Sequence, residues 1–207
     1  MSSPTLAEQI VDIARQCYAR GWALGTSGNF SAVVSKTPLR LAITTSGIDK
    51  GLLTVDDIVE IDEHGRVVAG SGKPSAEASL HVTIARSRGA GAVLHTHSIW
   101  STILSDGAAD QGGLAIEGYE MLKGLDGVST HEHREWLPIL DNTQDWAAAV
   151  PLVESTLAER PDAHGFLIRR HGLYTWGRDL ADAKRQVEIL EFLFDVMGRK
   201  RGMPWQP

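Results

Sequence analysis

The stretch GAVLHTHS, residues 91–98, sets two histidines one residue apart behind a short apolar run. Such a run, opened by glycine, reads as a buried strand. In a strand, residues i and i+2 share a face, whereas in a helix they point apart. His95 and His97 are therefore expected side by side at the end of that strand. On spacing alone two readings stand: ligands of one metal ion, or a hydrogen-bonded pair of imidazoles.

Outward from this strand the chain alternates hairpins and helices. Leu6, Ile10, Ile13, Ala14 and Cys17 follow helical spacing, with Ser3 or the Thr5/Glu8 capping box as the start and Gly21 as the stop. Residues 29–35 and 39–46 read as one hairpin, and residues 58–62 and 66–70 as a second, with His64 on its exposed turn. A helix is expected over 75–88, just after Pro74, and another over 98–106. A short helix follows at 119–125, a strand at 135–140 and a helix with an internal proline at 145–160. Two strands, 165–170 and 172–177, precede a final helix from about 179. Leu180, Ala183, Val187, Leu190, Phe194 and Met197 give that helix a buried stripe. The pattern predicts an α/β fold: one α/β/α layered domain, residues 1–207, around a mixed, largely antiparallel sheet.

The 207 residues suffice for one sizeable core, and no linker or repeat interrupts them. A formal charge of −6 argues against a nucleic-acid surface. No segment offers the run of roughly 20 apolar residues that a membrane span needs. A single cysteine, Cys17, and the lack of a signal-like N-terminus point to the cytoplasm.

Three further stretches share one chemistry. GTSGN (25–29), TTSGID (44–49) and GKPSAE (72–77) each combine hydroxyls, glycines and free backbone N–H groups. Such loops hold an anion without a formal charge. Any one alone reads as a turn; three beside paired histidines point to a phosphorylated ligand. Lys50, next to the second, reads as a solvated surface lysine.

GTSGNFSA, TTSGID, KPSAEASLH, GAVLHTHS and RRHGLYTWG, in that order, resemble the class II aldolase/adducin family over nearly the whole chain. EGYEMLKGL, Thr130-His131 and LPILDNTQD are most similar to members that dehydrate a five-carbon ketose 1-phosphate. The resemblance implies one divalent ion, usually zinc, held by His95, His97 and His171. His131 and His133 are the rivals for the third place, because HEH repeats the i, i+2 spacing. It implies phosphate contacts at Ser27, Gly28, Asn29, Ser46, Gly47 and Ser75; Ala76 stands where the aldolases often carry another serine. It gives the general acid/base role to Glu120, with Glu77 beside the reacting atoms, although Glu77 occupies the position of the aldolases' own catalytic glutamate. His81, one helical turn after Glu77, is expected to support it. The implied activity is dehydration of a small sugar phosphate by a homotetramer with sites near subunit interfaces. A sugar-phosphate aldolase or epimerase is the alternative, and a metal-free binding module the third reading.

Overall fold

A computed structural model describes residues 3–202. Among the described residues nine strands form one sheet in the order β4-β3-β2-β1-β5-β9-β8-β7-β6. The strands are β1 (Asn29–Lys36), β2 (Leu39–Thr44), β3 (Ile58–Asp62), β4 (Val67–Ala69), β5 (Ala92–Thr96), β6 (Gly113–Glu117), β7 (Arg134–Leu140), β8 (Gly165–Ile168) and β9 (Gly172–Gly177). All neighbours are antiparallel except β7 and β8, so the sheet is mixed and largely antiparallel, as the sequence predicted.

Helices cover both faces. On one side α1 (Leu6–Ala19), α3 (Ile99–Ala108) and α5 (Leu180–Gly202) pack against the sheet, burying Ile10, Ala14, Leu94, Leu104, Val187, Leu190 and Phe194. On the other, α2 (Ala78–Arg88) and α4 (Trp146–Glu159) bury Leu80, Ile84, Val93, Val153 and Phe166. Central β5 shows the alternation directly: Ala92 and Leu94 join the α1/α5 core, and Val93 joins the α2/α4 core. His95 shares the face of Val93, while Thr96 turns back to meet Glu191 on α5.

Several boundaries differ from the sequence reading. Thr5, rather than Ser3, caps α1, with the reciprocal bonds Glu8 N–H to Thr5 Oγ1 (3.2 Å) and Thr5 N–H to Glu8 Oε2 (2.7 Å). Helix α2 begins at Ala78 rather than Ser75, because Ser75 to Glu77 are held in the loop that walls the site. Residues Glu120–Gly124 form a 3-10 turn. Strand β6 went unread: it is a short, glycine-led segment whose pairing partner, β7, lies some 20 residues on. Among the described residues no helix is long and apolar enough to cross a membrane.

Candidate metal centre and active site

The end of β5, the turn between β8 and β9, and the loop before α2 meet at one edge of the sheet. They bring Glu77, His95, His97 and His171 together, with one ligand atom from each within 4.8 Å of the others. The His97 Nε2 lies 2.7 Å from His95 Nε2 and 3.0 Å from His171 Nε2, and the remaining pair is 3.3 Å apart. Glu77 reaches His95 and His171 at 3.4 Å each.

The outer nitrogens fix the tautomers. His95 Nδ1 donates to the Leu173 carbonyl at 2.9 Å, and His171 Nδ1 donates to Asn142 Oδ1 at 3.2 Å. Both Nε2 atoms are therefore left as lone pairs aimed at the cluster's centre. Burial, reinforced by the neighbouring imidazoles, holds His95 far below the usual histidine range and His97 down to about 2. Burial also lowers His171, although Glu77 opposes it. The rings are thus neutral, and their contacts with Glu77 are not ion pairs. Neutral imidazoles with converging lone pairs, oriented by carbonyl acceptors, are the donor set a divalent cation needs. Two glycines make the approach possible. A Cβ on Gly172 would lie 2.0 Å from the Thr96 carbonyl oxygen, and one on Gly28, at φ +73°, 2.7 Å from that of His95.

Behind Glu77 runs a buried chain of polar groups. Asn29 Nδ2 donates to Glu77 Oε2 at 2.7 Å and to Ser75 Oγ at 3.0 Å. Its Oδ1 accepts from His81 Nε2–H, and His81 Nδ1 accepts from Ser31 at 2.7 Å. Burial pulls His81 down to about 4, so this ring too is neutral. Tyr174 stacks on His95 at 4.0 Å, and its buried hydroxyl lies near Glu77 without a hydrogen-bond partner. Burial and the carboxylate push its ionisation far above the usual phenol range. Beneath the opposite side of β5, Glu191 accepts from Thr96 at 2.6 Å, and burial raises it to about 7.

A cavity of about 220 Å³ opens over the cluster, and all three loops border it. Ser27, Gly28, Asn29, Ser46 and Ser75 line it; Gly47 does not. The Ser27 hydroxyl is spent on the Leu24 carbonyl at 2.7 Å. Thr26, Thr45, Gln144 and Trp146, unread in the sequence, also line the cavity. Lys50 is the larger surprise. Instead of a solvated surface group it is 1% exposed, and its ammonium donates to the carbonyls of Thr26 (3.1 Å) and Ile48 (3.0 Å) at the cavity wall.

Glu120 lies outside this cavity. Its side chain is 72% exposed, paired with Lys123 at 2.8 Å and close to His131 at 3.8 Å. His131 and His133 are not in the four-residue cluster either; His133 instead meets Glu135.

The sequence profile of the class II aldolase and adducin N-terminal domain matches residues 8–197. The chain belongs to the class II aldolase and adducin family. Within it, the methylthioribulose-1-phosphate dehydratase of Pseudomonas fluorescens is 47% identical over 199 residues, covering 96% of this chain and 94% of that one. The enzyme of the same name from Marinobacter nauticus is 44% identical, covering 92% and 91%. Among solved structures, an L-fuculose-1-phosphate aldolase from Thermus thermophilus shares the fold with a TM-score of 0.73, at 23% identity, covering 93% of each chain.

Proposed function

We infer that this chain is a hydro-lyase, a methylthioribulose-1-phosphate dehydratase, which removes water from 5-methylthioribulose 1-phosphate to leave 2,3-diketo-5-methylthiopentyl 1-phosphate. This is a step of methionine salvage. The observation that carries the reading is near-full-length similarity to dehydratases at 42–47% identity, in a chain whose histidines and carboxylate converge beside a small cavity.

In this reading His95, His97 and His171 hold one divalent ion, zinc by the chemistry of the donor set. When bound, the ion supplies a Lewis acid that makes the proton beside the substrate's carbonyl acidic. Glu77 takes the C3 proton. It is the carboxylate that a single chain offers in reach, and Asn29 aims it from behind. Ser75, Ser46 and the backbone around Gly28 bind the phosphate, and Lys50 supplies the countercharge at the cavity wall. Gly47 shapes its turn rather than touching the ligand. Trp146 and Tyr174 exclude water on the α4 side. Glu120 takes part only where a neighbouring chain brings it to the cavity, in the homotetramer proposed for the assembly; there it would protonate the departing C4 hydroxyl. A soluble cytoplasmic setting fits the composition.

The test is turnover of 5-methylthioribulose 1-phosphate by purified protein of known metal content. A diketone formed from an unbroken five-carbon chain supports the reading. Two carbonyl fragments would make the protein an aldolase instead. Loss of the ion at this cluster from His95→Ala and His97→Ala is expected, and full occupancy of it in His171→Ala would remove that residue from the ligand set.

A further inference from the structure

We propose that His133, Glu135 and His164 form a second divalent-metal site, separate from the cluster around Glu77. The two clusters sit at opposite ends of the same strand: His164 directly precedes β8, and His171 follows it. The sequence motif HEH is therefore divided, with His131 left beside Glu120 and His133 turned inward.

Glu135 is 1% exposed and rigidly held. Its Oε1 accepts the backbone N–H of His164 at 2.9 Å, and its Oε2 faces His133 Nε2 at 2.9 Å and His164 Nδ1 at 2.8 Å. On the far side of the His164 ring, Nε2 donates to the Asp126 carbonyl at 2.8 Å. That bond keeps a proton on Nε2 and leaves Nδ1 as the nitrogen directed at Glu135. The same arrangement orients His95, whose outer nitrogen is held by the Leu173 carbonyl. A backbone acceptor on the outer nitrogen is how proteins set a ligating imidazole.

The spacing suits an ion. Zinc binds imidazole nitrogen and carboxylate oxygen at roughly 2.0–2.2 Å, which separates tetrahedral ligands by a little over 3 Å. The three donor atoms here lie within 4.8 Å of one another, so small side-chain shifts admit the ion. One side of the cluster opens on a cleft of about 650 Å³, which leaves a coordination position for water. Binding replaces the protons between Glu135 and the two rings: His164 releases its Nδ1 proton to solvent, and the His133 proton moves from Nε2 to Nδ1, freeing Nε2 as a ligand. The ion ties the first residues of β7 to the entry of β8, and through His164 to the loop at Asp126.

The experiment uses the whole chain, stripped with a chelator, refilled with Zn²⁺, desalted and assayed for metal. About two ions per chain are expected in the wild type, about one in His97→Ala, and none in His97→Ala/His133→Ala, with circular dichroism confirming that each is folded. His133→Gln keeps a hydrogen-bond donor to Glu135 and serves where the alanine variant does not fold. Failure of the site is equally readable: a His97→Ala chain that binds no zinc, or one whose remaining ion survives both His133 substitutions, overturns the proposal. If the wild type instead holds one ion that His97→Ala keeps and His133→Ala loses, the second site stands and the first falls.

Discussion

Substituting Glu77→Gln separates the chemistry of the site from its architecture. The glutamine keeps the shape of the side chain but accepts no proton. Its amide oxygen can still take the bond from Asn29 beside His95, which places its NH₂ toward His171, where the other Glu77 oxygen now lies 3.4 Å away. The Asn29 bond then changes from one made to an ionised carboxylate, worth about 1.5–3 kcal/mol, to a neutral one worth about 0.5–1.5 kcal/mol. The loss of about 1 kcal/mol is small against the roughly 5–15 kcal/mol that holds a domain folded. The variant should therefore fold and, with three histidines intact, keep metal. Its kcat should fall about 100- to 10,000-fold, the usual worth of a general base. The assay is steady-state turnover with metal measured on the same sample, repeated with substrate deuterated at C3. A variant with full metal and near-normal kcat would refute the reasoning. If Glu120→Gln is the inactive one in the same assay, the base comes from a neighbouring chain.

Three further outcomes are expected. Lys50→Met should raise KM more than it lowers kcat, since the ammonium would bind substrate and transition state alike; unchanged KM would remove Lys50 from the phosphate site. His81→Gln should resist acid better than the wild type: the unfolded histidine takes up a proton below its ordinary 6.5 and the folded one only near 4, so stability falls as pH drops through that interval, by about 3 kcal/mol from this ring. Glutamine offers Ser31 an acceptor and Asn29 a donor without titrating, and an acid-unfolding midpoint equal to wild type would count against the account. Tyr174→Phe removes a buried hydroxyl that has no partner, so Tm should hold or rise; a clear fall would show a hydrogen bond that the structure does not contain.

The histidine doublet was legible because a strand has a period of two, and nothing in the surrounding sheet had to be known to place both rings on one face. The nine-stranded sheet was legible in kind for the same reason, through its hairpins. Lys50 was not. An isolated lysine beside a turn is solvated by default, and only the return of the 25–29 loop over it supplies the carbonyls that bury its ammonium. Glu191 lay on the apolar stripe of α5, four residues after Val187, and an acid at such a position is a readable signal that a polar partner must await it. Its partner, Thr96, is 95 residues away in sequence. The exposed position of Glu120 was likewise beyond reach, because a 3-10 turn has no periodicity strong enough to say which way its carboxylate faces.

The turn that delivers His171 comes 76 residues after the strand end that delivers His95. A growing chain therefore reaches the stage of β5 with half a coordination sphere, and β6, β7 and β8 must all be made before the missing ring arrives. A truncated product that stops short of the turn after β8 would carry the His95/His97 pair but little affinity for an ion at that cluster. Conversely, an ion gripped by all three rings closes a loop spanning more than a third of the protein, restricting the unfolded chain as a long-range cross-link does. Retention of the ion at this cluster by newly made protein would thus report on completed assembly of the sheet, and removing it should quicken unfolding even in variants that have no catalytic activity to lose.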